Sequence, residues 1–60
     1  MDKLTTSEKV RIELLRKSMT QADLAKALSV EPMTISRRLE NNAWKPVEVF
    51  YMKNQLKFDL

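Results

Sequence analysis

Apolar positions recur along this chain at helical spacing in short stretches divided by polar breaks. In the first, Thr5 and Glu8 have the spacing of a capping box and Leu4 can staple the entry, which predicts a helix from about Thr6 to Lys17. Val10 and Leu14 fall on one side of that helix, and Ile12 and Leu15 on another. The helix is therefore expected to touch more than one element. Ser18-Met19 interrupts the run. Thr20 then serves as an N-cap with Asp23 three residues on, opening a second helix over Gln21–Leu28 with Leu24 and Leu28 as an i,i+4 pair. Ser29-Val30-Glu31-Pro32 breaks the pattern again. Pro32 suits a first helical position, so a third helix runs to about Glu40 with Ile35 and Leu39 inward. Asn41-Asn42 follows, and Asn tolerates the left-handed exit of a helix.

Residues 46–60 admit two readings. Pro46 can open a helix with Val49, Met52 and Leu56 at helical spacing. Alternatively, the β-branched and aromatic run Val47–Tyr51 and the alternation of Leu56-Lys57-Phe58-Asp59-Leu60 fit a β-hairpin turning at Lys53-Asn54-Gln55. The turn lacks Gly and favours the helix. The expected fold is thus all-α, a small four-helix bundle in one domain over residues 1–60, with the hairpin as the alternative for its last segment.

Composition narrows the chemistry. The 60 residues include no Cys, no His and no Gly. Zinc fingers, thiol redox chemistry and Ser–His or Cys nucleophiles are excluded, as are Gly-rich phosphate cradles. Ser36 has no base to activate it, and Glu8, Glu13 and Glu48 read as solvated helix faces rather than acid–base groups. Neither enzymatic activity nor a cofactor or small-molecule substrate is expected. No apolar run approaches the ~20 residues that span a bilayer, and no leader pattern is visible, so a cytoplasmic chain without a membrane partner is expected. Lys and Arg number 11 against 8 Asp and Glu, a net charge of +3 that permits an anionic partner.

The segment Thr20–Glu40 carries the functional signal. Two short helices across a tight break need a small residue at closest approach, an apolar plug in the turn and a β-branched residue one turn into the second helix. Ala25, Val30 and Ile35 fit those places, which is a helix-turn-helix layout. At this point Thr20-Gln21-Ala22-Asp23-Leu24-Ala25-Lys26-Ala27-Leu28-Ser29-Val30 resembles the T-Q-x-x-L-A-x-x-L-G-V signature of phage Cro and repressor-like (lambda-repressor-like) helix-turn-helix domains. Thr34-Ile35-Ser36-Arg37-Arg38-Leu39 resembles their T-I-S-R-x-L recognition helix, and Trp44 with Pro46 and Glu48 resembles the lead into their fourth helix. The resemblance spans about residues 7–58.

There are three departures. Ser29 stands where the family usually has Gly, which implies a positive φ at a strained Ser. Leu14 and Leu39 occupy the positions where the family often buries an Arg–Glu pair. Both are apolar, so neither strands a charge. The chain also ends before the family's usual fifth helix, as a minimal or truncated member would.

The resemblance implies a sequence-specific DNA-binding regulator that occupies double-stranded DNA as a homodimer in a bacterial or phage-infected cell. On residue chemistry, a major-groove helix here offers Met33, Ser36 and Arg37 to base edges, with Arg37 able to fork onto guanine and Met33 to pack on a thymine methyl. Thr20 and Gln21 lie at a helix start that favours phosphate. Thr34, Arg38, Asn41, Asn42 and Lys45 complete the expected backbone contacts. Glu31 and Glu40 oppose non-specific attraction. Trp44 reads as core. Val47, Phe50 and Tyr51 fall partly outside a core formed by Val49, Met52 and Leu56, and are the expected dimer interface unless they pack on the apolar surplus of the first helix. The rival reading is a protein-interaction domain of the same fold, an antirepressor or adaptor, acting through Phe50 and Tyr51.

Overall fold

The computed structural model describes residues 3–60; Met1 and Asp2 of the expected domain lie outside the described residues. Four helices follow one another: α1 over Thr6–Arg16, α2 over Gln21–Leu28, α3 over Pro32–Asn41 and α4 over Pro46–Asn54. The C-terminal segment is therefore helical at 46–54, and there is no strand among the described residues, so the hairpin is not formed. The alternation at 56–60 is real but belongs to a non-helical tail that turns through the left-handed Lys57 (φ 61°). Phe58 is buried, Leu56 and Leu60 are half-buried, and Lys57 and Asp59 are exposed. The tail is fastened by the Phe58 amide donating to the Met52 carbonyl at 2.9 Å and Lys9 Nζ donating to the Leu60 carbonyl at 3.2 Å. Lys17 Nζ lies 5.8 Å from the centre of the Phe58 ring. No helix among the described residues is long and apolar enough to cross a membrane.

Both expected capping boxes are present. Thr5 and Glu8 close on each other at the start of α1, and Thr20 and Asp23 at the start of α2. The core is one cluster of Val10, Leu14, Leu24, Ala25, Ile35, Leu39, Met52 and Phe58. α3 packs on both α1 and α2, and Val30 and Trp44 lie half-buried against the cluster. Leu14 and Leu39 are both in the core, as their joint apolar character requires.

The surfaces differ from the sequence reading in two places. Ile12 and Leu15 remain 41% and 82% exposed, so neither is a core position. Glu13 and Glu48 are not solvated but buried, at 3% and 8% exposure. Glu13 sits beneath the returning tail and holds Arg16 at 3.2 Å and Lys17 at 3.6 Å, a burial no pattern within α1 reveals.

A chain without glycine must still end its helices. α1, α2 and α3 each close through a left-handed residue, Ser18 (φ 54°), Ser29 (φ 59°) and Asn42 (φ 51°). In each case the next amide reaches back five residues: Met19 to Leu14, Val30 to Ala25, Ala43 to Arg38. A non-glycine side chain there costs up to ~1 kcal/mol, least for Asn. Ser29→Gly and Ser18→Gly are each expected to leave stability unchanged or raise it by up to ~1 kcal/mol in urea titrations. A clear loss from either would mean that the left-handed angle carries no strain there.

Candidate nucleic-acid interface

Residue spacing fixes what α3 shows. At 100° per residue, Met33 and Arg37 each stand two positions from Ile35 and so point away from it. Ile35 and Leu39 are buried, whereas Met33 is 65% exposed and Arg37 is exposed. Ser36 is half-buried on the flank, and Glu40 completes the i, i+3, i+4, i+7 stripe of Met33, Ser36, Arg37 and Glu40. Thr34 is half-buried on the shoulder of α3. The stripe thus offers one fork of donors, one hydroxyl and one flexible apolar tip, with an acid at its far end.

At the start of α2, Thr20 and Gln21 are exposed. The Thr20 hydroxyl accepts from the Asp23 amide at 3.0 Å, and Asp23 accepts from the Thr20 amide at 3.0 Å. The backbone and then the side-chain hydrogen bonding with Thr20 hold the Asp23 carboxyl below its ordinary range, against a small opposing effect of burial and with help from Lys26. An ionised carboxylate therefore shares this helix end, and a phosphate here relies on the first-turn amides that the cap does not use.

At the end of α3 and beyond it, Asn41 and Lys45 are exposed. Arg38 is not free. Its Nε and Nη2 donate to Glu48 at 3.0 and 3.2 Å, and the same carboxylate accepts from the Lys45 amide at 3.0 Å. Arg38 thereby ties α3 to the start of α4. Asn42 is committed at one end, because its Oδ1 accepts from the Ser7 amide at 3.0 Å. Trp44 Nε1 donates to Ser7 Oγ at 3.0 Å, so Trp44 faces the interior as expected.

The structure thus gathers Met33, Ser36 and Arg37 on one stripe, places Asn41 at the end of α3 and Asn42 and Lys45 in the loop that follows, and turns Arg38 inward. Ser7, Glu13 and Glu48 have roles that residue patterns did not expose. Only Trp44 carried a hint, since a buried indole N–H needs an acceptor.

Burial pushes the Glu48 carboxyl up, but hydrogen bonds from Arg38 and the Lys45 amide, with their charges, outweigh it and leave the group below the ordinary 4.5. A depressed carboxyl stabilises the fold above its unfolded value and loses that contribution as pH falls through the folded value. Glu48→Gln should therefore cost about 1–2 kcal/mol at neutral pH, a charged hydrogen bond partly relieved by water because a fifth of the Arg38 side chain is exposed. Thermal melts of parent and variant should converge below pH 4.5. A difference that persists unchanged down to about pH 3 would show that ionisation of Glu48 is not its source.

On α4, Val47 and Phe50 are 69% and 67% exposed and Tyr51 is 37% exposed. They lie at i, i+3, i+4 on one side of α4. Val47 and Tyr51 also border a shallow groove of about 290 Å³ with Ala27, Leu28 and Ser29 from the end of α2. No family model, characterised protein or solved structure matches this chain.

Proposed function

We propose that this chain is a sequence-specific DNA-binding regulator of the helix-turn-helix type, similar to phage Cro and repressor domains, with α2 as its supporting helix and α3 as its recognition helix. The observation that carries the reading is the division of α3. Ile35 and Leu39 are buried beside Ala25, while Met33, Ser36 and Arg37 lie on the opposite, accessible side. The left-handed Ser29 and the half-buried Val30 between the two helices support it. Arg37 reads a base edge, with Met33 and Ser36 beside it. Thr20, Gln21, Asn41, Asn42 and Lys45 hold phosphates, and Thr34 supports them. Arg38 contributes through Glu48 rather than by direct contact. The exposed stripe Val47, Phe50, Tyr51 pairs two copies on DNA, so that two recognition helices meet two half-sites. The function involves occupancy alone, without chemistry or cofactor.

A mobility shift against duplexes from around its own gene, repeated over a salt series, tests this reading. Affinity should fall steeply and linearly on a log–log plot as salt rises. Lys45→Ala should weaken every sequence alike and lower the salt slope by about one per site. Binding that ignores salt would instead favour the second reading, a protein-interaction domain of the same fold. The large exposure of Phe50 is the observation on that side.

A further inference from the structure

Ser7 is 5% exposed, lies at the start of α1, and has no place in the DNA contacts proposed above. Its amide donates to Asn42 Oδ1 at 3.0 Å, its hydroxyl donates to the Arg38 carbonyl at 3.2 Å, and that hydroxyl accepts from Trp44 Nε1 at 3.0 Å. One small residue therefore holds the last turn of α3, the left-handed residue that ends it, and the aromatic beyond. On the other side, the Lys45 amide is held by Glu48 at 3.0 Å. The loop 42–45 is thus fixed at three points. A hydroxyl is the smallest side chain that can donate and accept at once, so Ala keeps neither side-chain bond.

The chemistry of Asn42 gives the latch a direction. Its amide oxygen is taken by the Ser7 N–H, so the outward end of this exposed side chain is the NH2 donor. A donor is what a phosphate oxygen accepts from; released, the amide would present either end. Val10, Leu14 and Leu39 already hold α1 to α3 through apolar contact, so the three polar bonds add orientation at the loop rather than bulk attachment.

We infer that Ser7 is a positioning residue for the phosphate-binding loop: its hydroxyl, bonded to the Arg38 carbonyl and Trp44, fixes the place from which its amide holds Asn42, so that the Asn42 NH2 and Lys45 are presented in a single, pre-ordered arrangement. This rests on the reading of the chain as a DNA-binding protein. Ordering the loop in advance removes an entropy cost that binding would otherwise meet, and it acts on all sequences equally.

The test uses the full chain, a random-sequence duplex and the operator duplex, titrated over a salt series at a temperature where circular dichroism shows each variant folded. Ser7→Ala should lower affinity for both duplexes by the same factor, about 3- to 10-fold. Its salt slope should stay parental, because Lys45 is still present to neutralise the same phosphate, and the ratio between duplexes should be unchanged. Trp44→Phe keeps an aromatic ring but loses the indole N–H and its second ring, and it carries the test if Ser7→Ala fails to fold. It should lower affinity in the same direction by about two- to threefold, and the double variant should be no worse than Ser7→Ala, because the Trp44–Ser7 bond is lost in both. If the parent shows salt-dependent binding and either single variant binds both duplexes with parental affinity, Ser7 is structural only and the inference is overturned. If the parent binds no duplex in a salt-dependent way, the DNA reading itself fails and takes this inference with it.

Discussion

Leu39→Glu is expected to leave the chain unfolded at room temperature. Leu39 is 5% exposed in the single buried cluster, with Leu14 at 6% across from it on α1. The one cation beside it in sequence, Arg38, is already gripped by Glu48, so a new carboxylate would be buried without a partner. That costs several kcal/mol, against a net stability of about 3–5 kcal/mol for a domain of this size. The whole stability is consumed by one substitution. Leu15→Glu is the matched control, since Leu15 is 82% exposed and the same change there should alter the melt little. A cooperative melt for Leu39→Glu within a few degrees of the parent would show that Leu39 does not face the core.

Arg37→Ala is expected to remove discrimination between operator and random DNA while the melt stays parental. Arg37 is exposed and makes none of the hydrogen bonds or ion pairs found among the described residues, so the fold does not depend on it. A bidentate contact to a base is worth about 1–3 kcal/mol of discrimination, and a two-fold dimer loses it twice. Equal weakening for every sequence would make Arg37 a phosphate clamp and move base reading to Met33 and Ser36.

The elements that could be read from sequence were those whose causes are local. The capping pairs Thr5–Glu8 and Thr20–Asp23, and the prolines at 32 and 46, set helix starts using residues a few positions apart. Ile35 and Leu39 marked the inner side of α3 for the same reason. Ser29 and Asn42 were legible as left-handed exits, but Ser18 was not, because a lone Ser after a charged run does not announce its φ. The tail 56–60 shows how a correct pattern can mislead. Its alternation reports one buried side, and a non-helical tail on a helical core has one just as a strand does. The burial of Glu13 and Glu48 and the latch at Ser7 were hidden because what meets them comes from elsewhere in the chain, the tail at Glu13, Arg38 at Glu48, and Asn42 and Trp44 at Ser7. Ser7 and Trp44 stand 37 positions apart, and nothing in either neighbourhood names the other.

The proposed DNA-facing surface is tested residue by residue by recording amide chemical shifts of the isotope-labelled chain as a random-sequence duplex is added at low salt. Even non-specific binding places the duplex against the recognition face, so the operator is not needed. The proposal predicts that the largest changes fall on Met33, Ser36 and Arg37, at Thr20 and Gln21, and at Asn41, Asn42 and Lys45, and that they reverse when salt is raised. Changes confined to Val47, Phe50 and Tyr51, or no changes at any duplex concentration, would contradict it.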